Sequence, residues 1–260
     1  MTAAICPRAL PLAALAAGLL ALTGCAALGL EHPPTAEQPL PTIDTASPTP
    51  KASGRGDSAL LTDDQARAAL LTQNDLGAPW SATRGAATWR DALLKASSRT
   101  AECQRLLDAL YADELLGAPG RVAVGLDDAD TDAQLRYQIG ARRPADVDAA
   151  LAWLRTMPTK CARFTATTET GLVEDVQVQE APLPEVGDAR QGLRLTLYTT
   201  TSGGQDVVLT MDVAAVRVGE DSFALTNGGL GDVPNEATQA AVQIGALRLA
   251  DVRKQGRAEV

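Results

Sequence analysis

Between Leu172 and Asn227 apolar and polar residues alternate with a period of two, and this restricts the fold more than any other feature of the chain. Val176 and Val178 oppose Gln177 and Gln179; Leu193, Leu195 and Leu197 oppose Arg194, Thr196 and Tyr198. Such alternation belongs to strands with one buried and one solvated face, as in an antiparallel sheet. Strands are predicted over residues 122–126, 133–142, 161–168, 172–179, 192–201, 206–218 and 222–227. Ser202-Gly203-Gly204-Gln205 supplies a hairpin loop between the two longest.

Helix signals flank these strands. Thr62 to Gln65 reads as a capping box opening a short helix through Leu71. Ser98 is placed to cap a helix over residues 100–116, with Gly117 as its stop. On it Cys103, Leu106, Leu107 and Leu110 follow i, i+3, i+4, i+7 spacing and share one buried face. Pro144 in a first turn starts another helix, with Val147, Leu151 and Leu154 on one side and Cys161 after its end. A final helix begins near Pro234 and packs through Ala237, Ala241, Ile244 and Leu247. Helices at both ends and in the middle, with successive strands after them, specify an α+β fold: an antiparallel β-sheet with packed α-helices.

The first 58 residues read differently. Arg8 precedes an apolar run from Ala9 to Ala21, which ends in Leu22-Thr23-Gly24-Cys25. A basic start, a short apolar stretch and small residues at a cleavage site describe a secretory leader. The tetrapeptide reads as a bacterial lipobox, so residues 1–24 are expected to be a lipoprotein signal peptide and Cys25 the lipidation site. Several acyl chains on one residue anchor stably where a single chain binds only marginally. From Glu31 to Ser58 the chain is rich in Pro, Thr, Ala and Ser. Residues 25–58 are therefore expected to be a lipidated cysteine followed by a disordered tether, reaching about 100 Å if extended. Residues 59–260 are expected to form one extracytoplasmic, sensor-like α+β domain. No later segment approaches the roughly 18 apolar residues of a membrane-spanning helix.

This assignment settles the cysteines. Of 4 in the chain, Cys6 leaves with the leader and Cys25 carries lipid, so Cys103 and Cys161 remain. An even pair in an oxidising compartment is expected to form one disulfide.

Composition removes several function classes. The formal charge is −9, and losing the leader, whose one charged side chain is Arg8, takes it to −10. Nucleic-acid binding needs clustered Lys and Arg, and none is expected here. The single histidine, His32, lies in the tether. A Ser-His-Asp or Cys-His system therefore lacks its base, and histidine zinc sites fail for the same reason. Paired carboxylates stay possible, but aromatic residues make up only 3% of the chain, too few for the stacking platforms of a sugar cleft. Neither a metal nor a cofactor is expected. Asp127-Asp128-Ala129-Asp130-Thr131-Asp132 invites a calcium reading. An EF-hand loop starting at Asp128 would put Ala133 where Gly is needed and Ile139 where Glu is needed, so an acidic turn is the better reading. Gly228, Gly229 and Gly231 lack the order of a phosphate-binding loop and read as a flexible turn.

Leu70-Leu71-Thr72 through Asp75-Leu76-Gly77 and Trp80, a Cys-bearing helix, a helix leading into Cys161, Pro184-Glu185-Val186-Gly187-Asp188 and Val216-Arg217-Val218-Gly219 follow in order. This arrangement resembles the actinobacterial surface lipoproteins related to the extracellular sensor domain of the mycobacterial receptor kinase PknH. The resemblance implies an antiparallel sheet with helices, a ligand-binding cleft and no catalysis. The sensor domain is expected to hold two disulfides, whereas this chain has thiols for one.

The sequence thus reads as a non-enzymatic lipoprotein on the outer face of the cytoplasmic membrane. Its expected partners are the membrane, through the lipid, and a small-molecule or protein ligand. A carrier for a lipid or other apolar molecule is the alternative, and a cell-envelope hydrolase comes third. Trp80 and Trp89, in an irregular Gly- and Ala-containing segment, are the candidates for a ligand surface, with core packing as the competing reading. Trp153, beside the apolar face of its helix, is assigned to the core.

Overall fold

Alternating sequence becomes alternating burial in a nine-stranded, wholly antiparallel sheet. The computed structural model describes residues 60–258; Cys25, the leader and the tether lie outside them. In chain order the strands are β1 (Trp80–Ala82), β2 (Ala96–Ser98), β3 (Val122–Asp128), β4 (Gln134–Ile139) and β5 (Arg163–Thr168). They continue as β6 (Val173–Glu180), β7 (Ala189–Thr200), β8 (Asp206–Val218) and β9 (Asp221–Leu230). The sheet order is β1-β3-β4-β9-β8-β7-β6-β5-β2. The helices are α1 (Asp63–Ala68), α2 (Gln73–Leu76), α3 (Ala101–Tyr111), α4 (Pro144–Lys160) and α5 (Glu236–Ala258). The α+β class is therefore as the sequence predicts.

The helices cover opposite faces of opposite halves of the sheet. On one face α3, α4 and a π-helical turn (Arg90–Leu94) bury Phe164, Val176, Val178, Leu193, Leu195, Leu197, Leu209, Met211 and Val213. On the other face α1 and α5 bury Leu126, Leu135, Tyr137, Ile139, Val216, Phe223 and Leu225. β8 crosses from one cover to the other. Its Val213 and Ala215 face α4 while Ala214 and Val216 face α5, so its central residues are buried on both sides. The uncovered face of β5–β7 carries Arg163, Thr165, Gln177, Gln179, Thr196 and Tyr198, the polar partners in the alternation.

Several sequence expectations are met locally. Thr62 and Gln65 form a reciprocal capping box at 3.2 and 2.9 Å, and Pro144 occupies the first turn of α4. Cys103, Leu106, Leu107 and Leu110 are all fully buried. Others need correction. The first helix stops at Ala68, and Thr72 opens the separate turn α2. Thr100, whose N–H bonds the Ser98 hydroxyl, is the cap of α3, and the helix ends at Tyr111. There Asp113 turns the chain at φ 58°. Its carboxylate bonds Arg90 at 2.9 Å and pairs with Arg136 at 2.7 Å, which outweighs the local helical pattern. Gly228 and Gly229 lie inside β9 instead of in a turn. A Cβ on Gly228 would stand 3.0 Å from the Trp89 ring, so close packing selects glycine there.

α5 is rotated from its predicted face. Thr238, Ala241, Val242, Ala246 and Leu249 are buried, whereas Leu247 is exposed. Gly245 faces the fully buried Tyr137, and a Cβ there would lie 2.7 Å from the phenol oxygen. The ring is held against Phe223 with centroids 5.1 Å apart and has no room to retreat. Helix propensity favours Gly245→Ala by about 1 kcal/mol, but overpacking costs about 1 to 3 kcal/mol. Denaturant unfolding should therefore show a net loss; a gain in stability would mean that α5 slides freely over Tyr137.

Candidate functional site

α3 and α4 run antiparallel because the Cys103–Cys161 bridge joins the start of one to the end of the other, with Cα atoms 5.6 Å apart. Away from the bridge the helices face each other through Ala109, Ala112, Ala149 and Ala150, whose small side chains leave the interface unfilled. The result is a groove of about 630 Å³, a size suited to a small-molecule ligand. Leu115 and Leu116 close one side from the loop after α3, with Gly117 at φ 83° turning the backbone away.

One end of the groove is a stacked polar column. Trp153 donates its indole N–H to Glu102 at 3.1 Å, and Lys160 reaches the other Glu102 oxygen at 3.3 Å. Lys160 and then Trp153 hold the Glu102 carboxyl below its ordinary range. The Arg105 guanidinium sits over the Trp153 ring at 4.1 Å. At the other end Asp146 accepts two bonds from Arg143, at 3.1 and 3.2 Å, which lower its pKa. Arg142 comes no closer to Asp146 than 3.9 Å, and its buried Nε has no hydrogen-bond partner. The Arg142 side chain is 39% exposed, so an acceptor in the groove would meet its guanidinium on the exposed side. With Asp108 and Glu114 on the rim, the groove offers both signs of charge over an alanine floor.

The sequence-selected tryptophans lie elsewhere. Trp80 is half-buried on the edge strand β1 and packs on the α1–α5 side. Trp89 is buried on the α3–α4 side, its ring against Gly228. The structure does not bring them together, and neither lines the groove. Trp153, assigned to the core, is half-buried and does line it. The acidic stretch forms the β3–β4 turn, where Asp128 accepts from the N–H groups of Asp130 and Thr131 at 2.8 and 3.3 Å. Among the described residues no group of three or more His, Cys, Asp or Glu is placed to hold a metal ion. Nor is any helix among them long and apolar enough to cross a membrane.

No protein-family model matches the chain, and no curated protein matches it. Among solved structures it is similar to the extracellular domain of PknH from Mycobacterium tuberculosis. The identity is 14% and the TM-score 0.42, over 75% of this chain and 97% of that one.

Proposed function

We propose that this protein is a lipid-anchored, extracytoplasmic, non-enzymatic binding domain with a sensor-like role, and that its ligand occupies the groove between α3 and α4. The observation that carries the reading is an alanine-lined space between two helices fixed by a disulfide, with Arg105 and Arg142 facing Asp108, Glu114 and Asp146 around it. The anchor rests on Leu22-Thr23-Gly24-Cys25, and the Pro-rich stretch after it provides reach from the bilayer.

Five charged side chains on the groove suit a polar ligand better than the apolar cargo of a carrier. A hydrolase needs a carboxyl acid whose pKa is raised inside the cleft. Glu174, Asp212 and Asp221 are raised by burial, and all three lie outside the groove.

One purification tests both parts. Full-length protein extracted from native membranes should carry diacylglycerol mass on Cys25, lost in Cys25→Ala together with membrane partitioning. A small polar molecule should co-purify with the wild type and be absent from Ala149→Trp, where an indole on an exposed position fills the groove. A ligand retained equally by Ala149→Trp would move the binding site elsewhere.

A further inference from the structure

Of the charged side chains on the groove, Asp146 is already engaged, accepting two bonds from Arg143. The other four lack a close partner of opposite charge within the protein. Arg105 lies over the Trp153 ring at 4.1 Å and makes no ion pair among the described residues. Asp108 accepts from the neutral amide of Gln104 at 2.7 Å. Glu114 gives its backbone carbonyl to the Gly117 N–H at 2.7 Å, while its carboxylate pairs with no cation among the described residues. Arg142 reaches Asp146 only at 3.9 Å.

These four charges are divided between the two ends of the groove. Arg105 stands beside Trp153, toward the disulfide, with Asp108 one helical turn further along α3. Arg142 stands beside Gly117, its Nη2 3.9 Å from where a Cβ on that glycine would lie, and Glu114 belongs to the same turn. Each end therefore holds one guanidinium and one carboxylate. Between them runs the floor of Ala109 and Ala112 opposite Ala149 and Ala150. From Arg105 to Ala112 the helix rises about 10 Å.

This pattern is selective. A ligand with charge of one sign meets a like charge at both ends. A sugar finds no aromatic face to stack on, because Arg105 covers the Trp153 ring and Glu102 takes its indole N–H. An apolar molecule would take water from all four charges and pair none of them. The complement of a guanidinium beside a carboxylate is a carboxylate beside an ammonium, which is the head group of an α-amino acid. The guanidinium fork suits the ligand carboxylate, and the protein carboxylate accepts from the ammonium. Two such heads joined by an aliphatic chain match both ends and the alanine floor. A chain of seven or eight carbons extends over roughly 8 Å between its terminal carbons, and the long arginine side chains cover the remainder.

We infer that the groove binds a linear diamino dicarboxylic acid, one amino-acid head at Arg105 and Asp108 and the other at Arg142 and Glu114. This ligand class rests on the groove being the binding site.

Calorimetric titration of the full-length protein with diaminosuberic acid tests the inference. Three comparison probes each keep part of it: norleucine has one head, suberic acid has both carboxylates without amines, and hexamethylenediamine has both amines without carboxylates. Diaminosuberic acid should bind, and each comparison probe should bind at least about 10-fold more weakly, the scale of one lost charge-assisted contact. Arg105→Gln and Glu114→Gln, which remove one charge at opposite ends, should each weaken diaminosuberic acid by a similar factor. Equal affinity for norleucine, suberic acid or the diamine would overturn the inference, as would full affinity in both variants or no binding of diaminosuberic acid. If that acid does not bind while a native ligand is still lost from Ala149→Trp, the groove stands as the site and the ligand class alone is wrong. A native ligand retained by Ala149→Trp removes the groove and this inference together.

Discussion

Replacing both bridge cysteines, as Cys103→Ala with Cys161→Ala, is expected to lower the unfolding free energy by about 4 kcal/mol. The bridge spans 58 residues of sequence, a loop long enough for cross-linking to remove much of the unfolded chain's freedom. Both side chains are fully buried between α3 and α4, so alanine leaves a small cavity in addition to the entropy gained by the unfolded state. A domain of this size holds about 5 to 15 kcal/mol in total, so the loss is a large fraction of it. Urea unfolding of the oxidised and double-alanine proteins measures the change. The midpoint should fall and the denaturant slope should rise, because the uncross-linked chain exposes more surface. A difference under about 1 kcal/mol would show that the helices are held by packing alone. The groove should loosen with the bridge, because its polar column of Lys160, Glu102, Trp153 and Arg105 stands beside the clamp.

How far the sequence could reveal this arrangement depends on the residue doing the work. α3 and α4 declare themselves because their buried faces are leucine and valine at helical spacing, and β8 is predicted over its full length, Asp206–Val218. β1 and β2 are hidden because three residues carry no periodicity, and each is defined only by pairing with β3 or β5. The face of α5 is misread because two of its inward positions are not hydrophobic. Thr238 is buried to bond Asp212, and Gly245 is buried to admit Tyr137. Alternation announces that one side of each strand is buried without saying which helix covers it, so the change of cover along β8 is invisible. The groove is hidden for a related reason. Its floor is alanine, which any helix uses freely, and only the antiparallel placement of α3 against α4 turns those alanines into a space. Trp153 was legible as an aromatic beside an apolar face, but its exposure depends on Arg105 and Glu102 meeting it from another helix.

Asp212→Ala is expected to cost about 3 kcal/mol, the scale for removing one partner from a buried charged network. Asp212 is fully buried on β8 at the point where the sheet passes from its open face to the cover of α5. Its Oδ2 accepts from Asn235 at 2.6 Å and from Thr238 at 3.1 Å, and Oδ1 lies 3.2 Å from the Arg194 guanidinium. Asn235 precedes α5 and Thr238 lies in its first turn, and Arg194 also bonds the Val233 carbonyl, so one carboxylate latches the entry to the longest helix onto the sheet. Alanine would leave the fully buried Thr238 hydroxyl with only Asn227 for a partner and strand the Asn235 amide. Burial nevertheless lifts the Asp212 carboxyl above its ordinary range despite these partners. Its charge therefore works against the fold: the group's contribution is full below the unfolded value and declines as pH rises through the folded one. Asp212→Asn, which keeps the shape and one acceptor without the charge, should be the milder change, at about 1 kcal/mol. Its deficit against the wild type should shrink as pH rises from 4 toward neutrality. Chemical denaturation across that range, with exchange of the first α5 turns as the local readout, gives the ordering. Equal costs for alanine and asparagine would mean that the latch is shape alone, and an unchanged α5 would mean that Arg194 and the core hold the helix without it.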